Sequence, residues 1–161
     1  MKFQVRLGTL ADLPLIRELV QECALASVPE TRKIAPASIN AMVDLVLAEL
    51  KRVWSTASSF KLLLLEDTSN RKIVGYLFLL VNQLEASTGE KQTVVSDMGI
   101  SPRYRGKVLW KLLLGKAEEL ARENNDDYLT GMITVSNKAS LAIAEKWGFQ
   151  IERYQMAKPL T

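Results

Sequence analysis

"SPRYRGKVLWKLLL", residues 101–114, sets Pro102, Arg103, Arg105, Gly106 and Lys107 directly ahead of an apolar helical stripe. A helix start offers unpaired amides and the positive end of the helix dipole, so a diphosphate fits there without side-chain help. Gly106 permits a positive φ and close backbone approach. Arg103, Arg105, Lys107 and Lys111 add positive charge. Val108 and Trp110, however, stand where such a cradle is better served by bare backbone. With the helix beginning at about Lys107, the Cβ of Val108 leans toward the bound phosphates. The expected crowding is about 1–2 kcal/mol, a loss of affinity rather than its abolition. Trp110 is expected to pack against a neighbouring element or, failing that, to cover the turn. The plainer alternative for the whole stretch is a solvated basic helix start.

Outward from this turn, the pattern alternates between strand and helix periods. QTVVSDMGIS (92–101) precedes it as a strand, and the helix after it runs to Glu123 with Leu109, Leu112, Leu113, Ala117, Leu120 and Ala121 inward. NNDD (124–127) breaks that helix, YLTGMITV (128–135) is a strand, and Ser136 or Asn137 caps a helix reaching Trp147, which Gly148 stops. FQIERYQMAKP (149–159) reads as a last strand. Upstream, FQVRL (3–7) alternates as a half-buried strand, and Thr9 with Asp12 resembles a capping box before Pro14. Leu15, Ile16, Leu19, Val20 and Cys23 form the stripe of the first helix. VPETRKIAP (28–36) is a loop, and Ser38 to Trp54 a second helix carrying Ile39, Met42, Val43, Val46, Leu50 and Trp54. FKLLLLEDT (60–68) is apolar without alternation, as in a strand buried on both faces, and KIVGYLFLLVNQ (72–83) is its hairpin partner. Cys23, Met42 and Met132 read as core, Trp54 and Trp147 as packing at helix ends.

A chain of 161 residues has the length of one domain, residues 1–161, and buries roughly 70% of its unfolded surface without staples. The net charge of +3 is too small to argue for nucleic acid or membrane. Histidine is absent, which excludes Ser-His-Asp and Cys-His sites and histidine-ligated metals. A single cysteine excludes an internal disulfide and thiolate zinc, and fits a reducing, cytoplasmic setting. No signal peptide is expected, since Phe3 already opens a strand pattern, and the longest apolar run, 73–81, is short of a membrane span. Any chemistry must use carboxylates, hydroxyls, amines or backbone amides.

The order βααβββαβαβ, with the turn at 101–110 and NKASLAIAEKWGF at 137–149, resembles the GNAT superfamily of N-acetyltransferases. QVRLGTLADLPLIRELV is similar to its opening strand and helix, VSDMGISPRYRGK to its cofactor strand and pyrophosphate turn, and YQMAKPL to its closing strand. The resemblance implies an α/β (α+β) fold with a mixed, mostly antiparallel central sheet flanked by helices. It also implies transfer of an acetyl group from acetyl-coenzyme A to an amine. It places pantetheine on the backbone of Met98, Gly99 and Ile100, and pyrophosphate on the turn of Arg103, Tyr104, Arg105, Gly106, Lys107, Val108 and Leu109. Where the family's turn carries Arg or Gln, two residues, Gly, one residue, then Gly or Ala, this chain departs. Read from Arg103 it keeps Gly106 and ends on Val108; read from Arg105 it puts Val108 and Trp110 at the glycines.

For the chemistry, Asp97 is the nearest carboxylate on the cofactor strand and the candidate general base, with Glu66 and Glu90 behind it. The tyrosine that many family members place before Glu-Lys in the second motif is Ala144 here. Ser140, one turn earlier, is the candidate donor to the departing thiolate, with Tyr154 and Tyr104 as substitutes if the fold brings them in. Asn137 is expected to cap its helix and bond pantetheine. A strand bulge near Met98–Ile100 could free an amide for the oxyanion. Residues 22–40, with Glu22, Glu30, Arg32 and Lys33, border the acceptor side and name no substrate. A small-molecule or peptide amine is the expected acceptor, with homodimer formation possible and neither metal nor nucleic acid involved. The rival reading is a non-catalytic member kept as an acyl-coenzyme A sensor or interaction module, motivated by Val108, Trp110 and Ala144.

Overall fold

The computed structural model describes residues 2–56 and 58–160. Along the chain run β1 (Phe3–Leu7), α1 (Leu13–Ala24), α2 (Pro36–Val53), β2 (Phe60–Asp67), β3 (Lys72–Leu84), β4 (Lys91–Ile100), α3 (Trp110–Glu123), β5 (Tyr128–Gly131) and α4 (Lys138–Trp147). The strands make one sheet in the order β1-β2-β3-β4-β5. Neighbours are antiparallel except β4 and β5, which run parallel. This is the mixed, mostly antiparallel sheet that the resemblance implies.

The unbroken apolar run of β2 is explained by helices on both faces of the sheet. Leu62 and Leu64 join Leu13, Ile16, Val20, Cys23, Val43 and Leu47 of α1 and α2 in one core. Leu63 and Leu65 point the other way, into a second core with Leu113, Leu114, Ala117 and Leu120 of α3. In β3, Tyr76 and Phe78 face the first core, and Leu77 and Leu79 the second. Val74 breaks that alternation because the register with β2 slips between Leu65 and Glu66, which turns it toward α3. An aromatic chain ties the end of α2 to the sheet: Trp54–Phe60, Phe60–Phe78 and Tyr76–Phe78 ring centroids lie 5.4, 5.6 and 5.2 Å apart.

Several expectations are corrected. Leu15, Met42 and Val46 are exposed, because α1 and α2 bury narrower stripes than their apolar residues could supply. Met132 is exposed too: β5 stops at Gly131, four residues short of the expected end. α3 begins at Trp110 rather than Lys107, since Val108 adopts φ +58°, which no helix interior accepts. Residues 149–159 form no strand; Gln150 onward is exposed, and Arg153 pairs with Glu85 on the β3–β4 hairpin instead of registering on β5.

Thr9 and Asp12 do form the expected box. The Thr9 amide donates to Asp12 Oδ2 at 2.7 Å, and Arg6 donates to both carboxylate oxygens at 3.0 and 2.7 Å. The Arg6 hydrogen bonds, helped by Thr9, hold the Asp12 carboxyl down at about 2, against an ordinary value of 3.8. A depressed carboxyl stabilises the fold above its unfolded pKa and ceases to do so as pH falls through the folded one. Stability is therefore expected to drop between pH 4 and 2 by about 1 kcal/mol from this group, Arg6 being partly solvated. Asp12→Asn should remove that increment at pH 7 and flatten the acid limb, as read by urea denaturation across pH.

Candidate active site

The site begins where two parallel strands part. β4 and β5 are paired from Gln92–Tyr128 to Val95–Gly131; β5 then ends while β4 continues to Ile100 with only β3 beside it. The Ser101 amide donates to Val74 O at 2.9 Å, so by antiparallel alternation Gly99 and Asp97 also direct their backbone groups toward β3. The amides and carbonyls of Met98 and Ile100 consequently point into the opening. Gly99 serves differently from Met98 and Ile100: a Cβ there would lie 2.4 Å from Tyr76 Cε1 and 2.7 Å from Cys23 Sγ. Its missing side chain lets the tyrosine ring and α1 close on β4.

Directly after β4, residues 101–109 make the turn. Gly106 takes φ +78° and Val108 φ +58°, so left-handed residues alternate with their neighbours. Such alternation makes successive amides converge on one side as an anion-binding concavity. The amides of Tyr104 and Arg105 are already spent on Ser101 O and Pro102 O, and those of Lys111 and Leu112 on Val108 O and Leu109 O. Between them, among the described residues, the amides of Gly106, Lys107, Val108, Leu109 and Trp110 have no acceptor. Val108, which stands at a glycine position of the family's turn in either register, holds a glycine conformation. A β-branched residue in that region is strained by about 1–2 kcal/mol.

The basic side chains divide. Arg105 folds back, its Nε donating to Ile100 O at 3.0 Å and its Nη2 lying 3.9 Å from Cys23 Sγ. Lys107 sits over the Tyr104 ring at 4.9 Å, and Arg103 is exposed. Tyr104 itself turns to the α3-side core, edge-on to Phe3 and 3.5 Å from Asp67 Oδ2, away from the opening. Trp110 packs edge-on against Trp147 of α4 at 5.5 Å and leaves the amide concavity uncovered. Leu109 buries its side chain in the α3-side core, so only its backbone faces the turn.

Asp97 lies on the α1 side of the sheet. The register with β3 slips between Phe78 and Leu79, which bulges Ser96 just before it. The Tyr76 hydroxyl donates to Asp97 Oδ2 at 2.7 Å. Burial raises the Asp97 carboxyl above the ordinary carboxylate range, while the Tyr76 hydroxyl and the Met98 amide pull it back. Burial likewise raises the Tyr76 phenol and the Cys23 thiol, so both stay neutral. Cys23 is core, as its place on the stripe predicts. Glu66 is held by Arg6 and Glu90 lies on the far hairpin, so neither accompanies Asp97.

On α4, Asn137 caps the helix by accepting from the Ser140 amide at 3.2 Å. Ile143 and Trp147 rest on the α3-side core, and helical spacing puts Ser140 and Ala144 on that same side of α4. Ser140 and Asp97 therefore belong to opposite faces of the sheet. Tyr154 is 83% exposed on the terminal segment and is not brought in. The loop after β5 is tied to the end of α1 by Thr134 Oγ1, which donates to Ser27 O at 2.6 Å. Tyr76 is the residue that sequence reasoning passes over. A tyrosine inside IVGYLFLL had to find a polar partner, and that need was its signal.

Two surface cavities, of 260 and 430 Å³, lie elsewhere: one by Gly8, Trp54 and Phe60, the other by Glu85, Tyr128 and Arg153. Among the described residues, no cluster of acidic or thiol groups could hold a metal ion, and no helix is long and apolar enough to cross a membrane.

A turn of unpaired amides at the end of an open strand edge is a ready receptor for an anionic group. The acetyltransferase (GNAT) family profile matches residues 17–149, and the chain belongs to that family, the N-acetyltransferases. Its fold is shared by a protein from Pyrococcus furiosus assigned provisionally to the acetyl transferases (TM-score 0.81, 19% identity, 98% of this chain and 99% of that one). It is also shared by ribosomal-protein-alanine N-acetyltransferase from Brucella melitensis (0.71, 15%, 98% and 99%). Glucosamine-6-phosphate N-acetyltransferase from Arabidopsis thaliana is similar as well (0.68, 17%, 100% of both chains). No curated protein sequence matches this chain.

Proposed function

We propose that the protein transfers an acetyl group from acetyl-coenzyme A directly to a primary amine of a small molecule or peptide. The observation that carries this is the run of acceptor-free amides from Gly106 to Trp110, placed at the end of the open β4 edge. The fit is chemical: a diphosphate needs convergent donors, and a pantetheine arm needs an unpaired strand edge. The turn amides would hold the diphosphate, with Arg103 and Lys107 adding charge from solvent. The carbonyl of Met98 would hold the pantetheine arm, and Asn137 would meet it from α4. When bound, acetyl-coenzyme A supplies an acyl thioester with a good leaving group.

The chain's own groups then have separable tasks. Asp97 accepts the ammonium proton, directly or through water, so that the amine attacks as a neutral nucleophile. The open-edge amide of Ile100 donates to the oxygen on which charge develops. Ser140 donates a hydrogen bond to the departing sulfur in place of the tyrosine that Ala144 replaces. The test is thiol release with a panel of amines, alongside thermal shift with acetyl-coenzyme A alone. Binding at 100 times Kd should stabilise by about 2.7 kcal/mol. Absence of any shift at millimolar cofactor, or of turnover with every amine, would remove this reading.

Val108→Gly is expected to tighten coenzyme A binding about tenfold by calorimetry, since it removes a branched side chain from among the donor amides. Thermal stability should be unchanged or slightly higher, because the strain relieved exceeds the chain entropy that glycine adds.

A further inference from the structure

We propose that Tyr76 is a positioning residue for acetyl transfer: its buried hydroxyl grips one oxygen of Asp97 and so fixes the direction of the lone pairs that the carboxylate offers to the acceptor amine. This rests on Asp97 being the base. The geometry is closed on every side. Tyr76 is wholly buried, its ring lies 5.2 Å from that of Phe78, and Gly99 opposite it admits no Cβ. The hydroxyl therefore has one place to point, and Asp97 Oδ2 at 2.7 Å is there.

The choice of a neutral donor has a chemical reason. A carboxylate at a half-buried strand end would otherwise take up a proton and turn with its χ angles. An arginine or lysine partner would keep it ionised, but would weaken it as a base and repel an incoming ammonium. A phenol favours the ionised form through a single hydrogen bond and brings no positive charge to repel the ammonium. The other titratable groups around this carboxylate fit that account. Cys23 of α1 stays a thiol, Glu22 beside it adds negative charge, and Arg105 of the turn is directed to Ile100 O and the Cys23 sulfur. No cation is given to Asp97 among the described residues.

The experiment compares kcat–pH profiles of the wild type, Tyr76→Phe and Asp97→Asn, with acetyl-coenzyme A and an amine that the wild type accepts. In Tyr76→Phe the acidic limb should move up by about one pH unit, since a hydrogen bond to the charged form is gone. Plateau kcat should fall about tenfold while KM for acetyl-coenzyme A holds. In the Asp97→Asn background, Tyr76→Phe should have no further effect on kcat. A limb that stays in place in folded Tyr76→Phe, while Asp97→Asn abolishes it, overturns the role of Tyr76 alone. An Asp97→Asn enzyme with wild-type kcat and limb removes the base assignment and this proposal with it. Should the Phe variant melt below assay temperature, 3,5-difluorotyrosine placed at position 76 decides. It is nearly isosteric and a stronger donor, so the limb should move down; an unmoved limb contradicts the proposal.

Discussion

Asp97→Asn is expected to lower kcat by about a hundredfold or more, while leaving the affinity for coenzyme A within about twofold. The amide keeps the size of the carboxylate and can still accept from the Tyr76 hydroxyl, so the fold around it should persist. What it cannot do is take a proton from an ammonium. Because burial raises the Asp97 carboxyl, the wild-type profile should show an acidic limb above the ordinary carboxylate range. The base is active when ionised, so kcat falls as pH drops through that limb. In the Asn variant the limb should vanish, leaving residual activity that rises only with the fraction of acceptor amine already neutral. Steady-state kinetics from pH 4 to 9 would show both effects.

Gly99→Ala should cost about 2–3 kcal/mol and lower the melting temperature by about 5–10 °C. The added methyl would sit 2.4 Å from Tyr76 Cε1, 2.7 Å from Cys23 Sγ and 2.9 Å from Tyr76 Cζ. A flexible surface side chain could yield, but this ring is fully buried against Phe78 and Cys23 is fixed in α1. Either the ring tilts and its hydroxyl leaves Asp97, or α1 lifts from the sheet. Gly106→Ala, where nothing lies within 4 Å of the added methyl, should show only the milder strain of a left-handed residue. Calorimetric scans of the two variants separate close packing from backbone conformation.

The sheet and its helices were legible because burial on two faces writes itself into β2 as LLLL, and because Asn137 and Gly148 punctuate α4 at its two ends. The turn was legible as a candidate anion site from Gly106 and its basic neighbours. Its true conformation was not. Nothing in a valine announces φ +58°, and a helix start at Lys107 was the natural reading of an unbroken apolar stripe. Tertiary context imposed the left-handed residue and moved the helix start to Trp110. The same context left the apolar Leu15, Met42 and Val46 uncovered, since periodicity marks a face without saying how much of it a neighbour reaches. Asp97 could be named from its strand, but Tyr76 could not be joined to it. The two stand 21 positions apart and meet only through the β3–β4 register and its bulge.

The central claim is that five main-chain donors after β4 bind a diphosphate despite the valine among them. A titration of ¹⁵N-labelled protein with coenzyme A, followed by amide chemical shifts, tests it at those atoms. The account predicts downfield movement of the Gly106, Lys107, Val108, Leu109 and Trp110 amide protons, absent when pantetheine without its diphosphate is used. Amides that stay in place at millimolar coenzyme A, or that respond equally to pantetheine, would contradict it.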